Sequence, residues 1–163
     1  LNEMGSRIAG WNIEILATDI CTEVLEKAKA GVYSQFEVQR GLPIQLLLKY
    51  FQQDGDQWKI SQQIKSMVSY RQLNLIQSFA NLGTFDIVYC RNVLIYFDQP
   101  TKSDVLKRLA SVVAPDGALL LGAAETVIGL TDALSPHPDH RGLYVPARAP
   151  ALAAAPLRVA AGR

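Results

Sequence analysis

The sequence has little cysteine, almost no net charge and no long apolar run. Its two cysteines, Cys21 and Cys90, do not form a C-x-x-C pair, which argues against a disulfide framework and against a cysteine zinc site. Lys and Arg total 16 against 15 Asp and Glu, for a formal charge of +1, so binding to nucleic acid by bulk electrostatics is excluded. The best internal apolar run, residues 117–124, is far shorter than the roughly 18 residues of a membrane span.

The composition is that of an ordinary globular domain. Hydrophobic residues make up 49% and charged residues 19% of the 163 residues, which excludes disorder as the main state. No secretory signal is visible at the start, and a reducing, cytoplasmic location fits the two cysteines best. Prolines concentrate at the end. We therefore predict one domain over residues 1–146, followed by a disordered Ala/Pro-rich tail over residues 147–163.

Two stretches each predict a strand that leads into a helix. Residues 13–17 form an apolar, β-branched run, and apolar residues at helical spacing follow until Gly31 ends the helix. Residues 85–90 form the clearest buried strand, Asp98 is a good N-cap for the next helix, and residues 118–121 form the next strand. Such units predict an α/β fold with a mostly parallel sheet covered by helices.

The segment between these units predicts elements of its own. Apolar residues at helical spacing predict a helix, residues 54–56 a turn, and residues 57–60 a short strand. At about residues 33–66 the segment is long for a crossover, so we interpret it as a small insertion with a helix and a hairpin. Residues 67–73 then predict a longer strand, and residues 143–145 an edge strand.

Polar residues follow the predicted strands, where open parallel sheets bind their ligands. Asp19, Asn74, Asn92 and Glu125 are all expected to point to one rim. A carboxylate placed like Asp19 can accept hydrogen bonds from both hydroxyls of a ribose, although position alone favours an N-cap for the following helix. Asn92 offers donors and an acceptor to a zwitterionic ligand, although Asn after a strand is more often a turn residue.

The histidines and cysteines predict no further chemistry. His137, Asp139 and His140 are close in sequence, but prolines among them indicate an irregular loop, so no metal site is predicted. Cys90 ends a buried strand and has no His near it in the sequence. This favours a packed thiol over a nucleophile.

Several motifs resemble a known family. After the first strand stands Ala-Thr-Asp-Ile and then Thr-Glu-Val-Leu-Glu-Lys-Ala, and residues 85–98 are Phe-Asp-Ile-Val-Tyr-Cys-Arg-Asn-Val-Leu-Ile-Tyr-Phe-Asp. Four shorter motifs also fall in the family's order: Gly41-Leu42-Pro43, Asn74-Leu75, Pro115-Asp116-Gly117 and Gly122-Ala123-Ala124-Glu125-Thr126. Over residues 11–146 the chain resembles the chemotaxis receptor glutamate methyltransferases of the CheR type.

The resemblance implies a Rossmann-like S-adenosylmethionine-dependent methyltransferase fold. It also implies methyl transfer to glutamate side chains in the cytoplasmic helical region of chemoreceptors, with S-adenosylhomocysteine as the product. Tyr96 matches a tyrosine near the methyl-transfer centre, although without the family match it is as compatible with packing against Phe97. The cofactor-binding residues implied are Asp19 at the ribose, Asn74 and Leu75 beside the adenine, and Asn92 and Val93 after the fourth strand.

The chain also departs from the family pattern. Family members carry a small N-terminal helical domain and a Gly-containing first strand-loop, and we expect this chain to lack both and to bind the cofactor weakly by itself. The turn at Asp54-Gly55 is short, and it resembles members that do not dock a peptide tether at this hairpin. The alternatives are a degenerate methyltransferase-like binding module without catalysis and a methyltransferase of small molecules.

Overall fold

The computed structural model describes residues 1–147, apart from the side chains of Asn2 and Glu3. It divides into two compact units, the first ending at Asn74 and the second beginning at Leu75. The first unit opens with a 3-10 helix, Asn2–Ile8. Its strands are β1 (Ile15–Asp19), β2 (Val32–Ser34), β3 (Phe51–Asp54), β4 (Gln57–Ile60) and β5 (Val68–Gln72). Its helices are α1 (Thr22–Ala30), α2 (Gln35–Gln39), α3 (Ile44–Tyr50) and α4 (Gln62–Lys65).

The first strand–helix unit forms, with its strand at Ile15–Asp19 rather than at the predicted residues 13–17. Strand β1 pairs in parallel with β5, from Ile15 opposite Val68 onwards, and α1 ends at Gly31, which adopts a left-handed conformation with φ 66°. A side chain at Gly31 would also be crowded, since a Cβ there would lie 2.7 Å from a methyl carbon of Ile60. Glycine is therefore required twice over at this helix end.

The insertion contains the predicted helix, α3, and the predicted hairpin, and it also contains strand β2 and the short helices α2 and α4. Strands β2, β4 and β3 form an antiparallel sheet in that order, and its hairpin turns at Gly55 with φ 59°. Val38, Leu47 and Trp58 are buried together beneath it. A small core of its own thus holds the insertion.

The described part of the second unit, residues 75–147, contains one mixed sheet and one long helix. Asp98 caps the helix as predicted, because its carboxylate accepts a hydrogen bond from the Thr101 N–H at 2.9 Å. The elements are β6 (Phe85–Cys90), a 3-10 helix (Leu94–Tyr96), α5 (Gln99–Val112), β7 (Val113–Leu121), β8 (Leu134–Pro136) and β9 (Leu143–Pro146). The sheet order is β6-β7-β9-β8, with β6 and β7 parallel and the other pairs antiparallel. The buried face of α5 is formed by Val105, Leu106, Leu109 and Val112.

Two expectations about this sheet are wrong. Residues 143–145 are not an edge strand, because β8 pairs with β9 on the side away from β7. Strand β7 begins at Val113 rather than near residue 118, since Val113 already pairs with Phe85 before the register shifts. Beyond the shift, Ala118 lies opposite Ile87, so residues 114–117 bulge out of the ladder.

Two further findings concern the whole described part. Within residues 1–147 no helix is long and apolar enough to cross a membrane. The predicted tail lies outside the described residues except for Ala147, whose N–H donates to the Ala133 carbonyl at 2.9 Å.

Candidate functional site

In the first unit, Asp19 is the last residue of β1, and Asn74 follows β5, the strand that pairs with it. The Leu73 N–H donates to the Asp19 carbonyl at 2.9 Å, which holds the ends of β1 and β5 side by side and places Asn74 next along the chain. The Gln72 side-chain amide adds a 3.0 Å hydrogen bond to the Ile20 carbonyl. Two of the predicted site residues therefore lie at one end of this parallel pair.

The Asp19 side chain is not an N-cap. Helix α1 begins at Thr22 and has Cys21 in the N-cap position without a side-chain hydrogen bond. One Asp19 oxygen, Oδ1, accepts the Cys21 N–H at 2.8 Å and so fixes the turn. The other, Oδ2, has no hydrogen-bond partner among the described residues. A half-buried carboxylate with one open oxygen fits a diol ligand such as a ribose.

In the second unit, one carboxylate organises the loop that follows β6. Oε1 of Glu125 accepts the N–H of Val93 at 2.9 Å and of Leu94 at 2.7 Å. Oε2 accepts the N–H of Asn92 at 2.8 Å and of Gly122 at 2.6 Å. We name this arrangement of one side chain and four backbone donors the Glu125 clamp.

The clamp fixes an unusual backbone at Asn92. Among the described residues other than glycine, it is Asn92 that has a positive φ, at 60°. Asn tolerates this conformation better than most residues do. Its side chain remains exposed. A Cβ on Gly122 would lie 2.7 Å from Oε2 of Glu125 and 2.9 Å from the Asn92 nitrogen. Glycine is thus needed where the two loops approach each other.

Electrostatics agree with an ionised Glu125. Burial, the largest single influence, raises the pKa of its carboxyl, but the four backbone hydrogen bonds together outweigh it and lower the pKa. Burial first, and the Glu125 charge second, raise the pKa of the Cys90 thiol to about 11. Cys90 is 6% exposed, and a neutral, buried thiol is a poor nucleophile.

The expectation that Glu125 points to the ligand rim with Asn92 is wrong. Its carboxylate is turned inward and is occupied by backbone donors, because three consecutive amides and Gly122 would otherwise lack acceptors. The sequence signal for this role is a glycine directly after a buried strand with a glutamate three residues later. This pattern resembles a helix-capping motif. It does not reveal the loop that Glu125 binds, because Val93 in that loop lies 32 residues away in the sequence.

The remaining predicted residues lie along the same unit. Tyr96 is 81% exposed, so little of its side chain is covered by packing against Phe97, and its place near the methyl-transfer centre stays a prediction. Leu75 is half-buried, and its carbonyl accepts a hydrogen bond from Arg108 Nε at 3.3 Å. A cleft of about 80 Å³ lies beside the 3-10 helix. Its walls include Leu94, Ile95, Lys102, Ala124, Glu125, Thr126 and Leu130.

No described residues suggest a metal centre. Within residues 1–147, no group of three or more His, Cys, Asp or Glu side chains is arranged to hold an ion. The rings of His137 and His140 instead lie 4.8 Å apart, at a tilt of 32°.

Comparison with known proteins identifies the family. Residues 1–142 match the family model described as "CheR methyltransferase, SAM binding domain". The chain belongs to the CheR methyltransferase family. The predicted family, the S-adenosylmethionine cofactor and the α/β fold class with parallel strands are therefore confirmed. The expected mostly parallel sheet is not seen among the described residues, where β1–β5 and β6–β7 are parallel and the other four strand pairs are antiparallel. The domain boundaries and the roles of single residues stay predictions.

Curated CheR relatives have closely similar sequences. A "Chemotaxis protein methyltransferase" from Vibrio anguillarum is 46% identical over 122 residues, 74% of this chain and 44% of the relative. "Chemotaxis protein methyltransferase Cher2" from Pseudomonas putida is 44% identical over 120 residues, 73% of this chain and 44% of the relative. The chain thus spans less than half the length of these relatives.

A solved structure was also found. It is described as "The structure of LepI complex with SAM" and has 10% identity and a TM-score of 0.42. The match covers 81% of this chain and 26% of that one.

Proposed function

We propose that this chain forms the cofactor-binding and catalytic part of a cytoplasmic protein-glutamate methyltransferase. Its substrate would be glutamate side chains in the cytoplasmic helical region of a chemoreceptor. The proposal rests on the similarity to curated chemotaxis methyltransferases. The single structural observation that carries it is the Asp19 carboxylate, which stands at the end of β1 with one oxygen open.

The residues present fit S-adenosylmethionine. Asp19 would accept hydrogen bonds from the ribose hydroxyls through Oδ2, while Oδ1 stays on Cys21. Asn74 and Leu75 would border the adenine. The exposed side chain of Asn92 would contact the cofactor together with Val93, on a loop that the Glu125 clamp holds in place.

The proposed chemistry needs little from acids or bases. The cofactor supplies a methyl group on a sulfonium ion, and the attacking group is a glutamate carboxylate that is already ionised at neutral pH. Positive and negative charge disappear together as the ester forms, so excluding water and aligning the carboxylate favour the reaction. Tyr96, which is 81% exposed, would orient that carboxylate by donating a hydrogen bond from its hydroxyl group.

The proposal is tested with the full-length gene product and methyl-labelled S-adenosylmethionine. We expect alkali-labile label on a purified chemoreceptor cytoplasmic region, because a methyl ester is hydrolysed by base. Calorimetry with S-adenosylhomocysteine should show weaker binding by about 1–3 kcal/mol in Asp19→Ala, the usual range for hydrogen bonds to a charged group. Asp56→Ala is the matched control, since Asp56 is an exposed carboxylate at the hairpin turn of the same unit.

Three results would contradict parts of the proposal. Cofactor binding without transfer would favour the binding-module alternative. Label on a small molecule but not on the receptor would favour a small-molecule methyltransferase. Equal affinity in Asp19→Ala and the parent protein would remove Asp19 from the ribose.

A further inference from the structure

We infer that Glu125 is a positioning residue for the cofactor loop, holding residues 92–94 in their binding conformation before the ligand arrives. This rests on the proposed function, because it concerns the loop assigned to S-adenosylmethionine. Glu125 itself would touch neither cofactor nor substrate. Both oxygens of its carboxylate accept hydrogen bonds from backbone N–H groups, and the residue is only 9% exposed.

The geometry gives Glu125 control over the direction of three successive peptide groups. Each carboxylate oxygen accepts two N–H groups at 2.6 to 2.9 Å, within the range of strong charge-assisted hydrogen bonds. Three successive amides directed at one side chain leave the loop little freedom. The left-handed backbone of Asn92 is held within this arrangement, and its exposed side chain is displayed outward from a fixed base.

The clamp also connects the loop to the neighbouring strand. Gly122 follows β7 directly, and its N–H shares Oε2 with the N–H of Asn92. A second anchor lies on the other side, where the Tyr144 hydroxyl donates to the Glu125 carbonyl at 3.3 Å. Strand β7 and strand β9 thereby position the loop after β6. A loop fixed in advance binds with a smaller entropic penalty than one that must be ordered by the ligand.

The carboxylate cannot be replaced by an amide of the same shape. In Glu125→Gln one oxygen becomes an NH₂ group, so whichever way the amide lies, two of the four backbone donors face another donor. Glu125→Asp keeps both oxygens but withdraws them by one methylene. The first variant should disturb the loop more than the second.

The test measures S-adenosylhomocysteine affinity and amide hydrogen exchange in the full-length gene product. We expect Glu125→Gln to weaken binding by about 10-fold or more, and Glu125→Asp to fall between it and the parent. Leu109→Ala is the control for general destabilisation, since Leu109 is 5% exposed in the core face of α5 and does not belong to the clamp. It should lower stability and leave the affinity of the folded protein unchanged.

Hydrogen exchange in the parent protein keeps the inference testable even where a variant fails to fold. The amides of residues 92–94 and Gly122 should be protected already without ligand. Protection that appears only after S-adenosylhomocysteine is added would overturn the inference, as would equal losses of affinity in Glu125→Gln and Leu109→Ala. If the parent protein does not bind S-adenosylhomocysteine at all but these amides are protected, the proposed function fails while the clamp stands.

Discussion

Gly122→Ala, a substitution directly after β7, should disrupt the hydrogen bonds that hold the cofactor loop. The new Cβ would lie 2.7 Å from Oε2 of Glu125, 2.9 Å from the Asn92 nitrogen and 3.2 Å from Cγ of Asn92. The carboxylate could swing away, but then the N–H groups of Gly122 and Asn92 would lose their common acceptor. The Gly122 donor is buried and the Asn92 donor partly buried, so the expected loss of unfolding free energy is about 2–4 kcal/mol.

Gly117→Ala is the matched control on the same strand. A Cβ at Gly117 would lie 2.7 Å from the Asp86 carbonyl oxygen, so this variant also overpacks β7, at a cost of about 1–3 kcal/mol. It lies in the bulge at the start of β7 and makes no contact with the clamp. Both variants should therefore be less stable, but only Gly122→Ala should bind S-adenosylhomocysteine more weakly.

Urea unfolding followed by far-ultraviolet circular dichroism measures the stability of each variant. Calorimetry with S-adenosylhomocysteine, under conditions where each variant is folded, measures the affinity. Equal affinity in the two variants would refute the reasoning, because both strain β7 and they differ in whether they displace Glu125. An unchanged urea midpoint in Gly122→Ala would show that the carboxylate finds another arrangement without loss.

Three other predictions concern the same loop. Asn92→Gly keeps a backbone that accepts φ 60°, so we expect an unchanged urea midpoint with weaker S-adenosylhomocysteine binding; equal binding would make Asn92 a turn residue only. Tyr96→Phe should change stability by less than about 0.5 kcal/mol, because Tyr96 is 81% exposed, while kcat falls and cofactor affinity stays; an unchanged kcat would exclude an orienting hydroxyl. Because backbone hydrogen bonds hold the pKa of Glu125 below its ordinary value despite burial, the clamp's contribution is present above the unfolded pKa and is lost as pH falls through the folded one. The amide resonances of Val93 and Leu94 should titrate together below pH 4.5, and a midpoint at or above that value would contradict the clamp. Asp98 follows this loop, and hydrogen bonds with Thr101 also lower the pKa of its carboxyl, so the titration is repeated in Asp98→Asn.

Much of the fold could be predicted from local sequence patterns. The β6–α5–β7 unit follows from an apolar strand, a capping Asp98 and a helix face of regular spacing, all of which are local signals. Strand β8 could not be predicted, since it is only three residues long, contains Pro136 and forms by pairing with β9. A short strand depends on the partner strand that completes its hydrogen bonds, and local sequence patterns do not identify that partner.

The candidate site divides in the same way. The position of Asp19 at the end of a strand could be predicted from the apolar residues before it, whereas its contact with a ribose stays a prediction. The role of Glu125 could not be predicted, because three of its four backbone donors lie 31 to 33 residues away in the sequence. A carboxylate after a strand also looks the same in the sequence whether it faces a ligand or the backbone. Only the tertiary fold decides between these two uses.

The clamp also limits how this part of the sequence can change over generations. The N–H groups of Gly122 and Asn92 share one oxygen of Glu125, Oε2, so the effects of substituting Gly122 and Glu125 are not independent. Once Glu125 is substituted, adding a side chain at Gly122 should reduce stability less than it does in the parent protein. In a Gly122 variant, substituting Glu125 should likewise have a smaller effect on stability. Single substitutions at these positions should therefore be more harmful than matched pairs. We expect a deep mutational library to recover replacements here in pairs rather than singly.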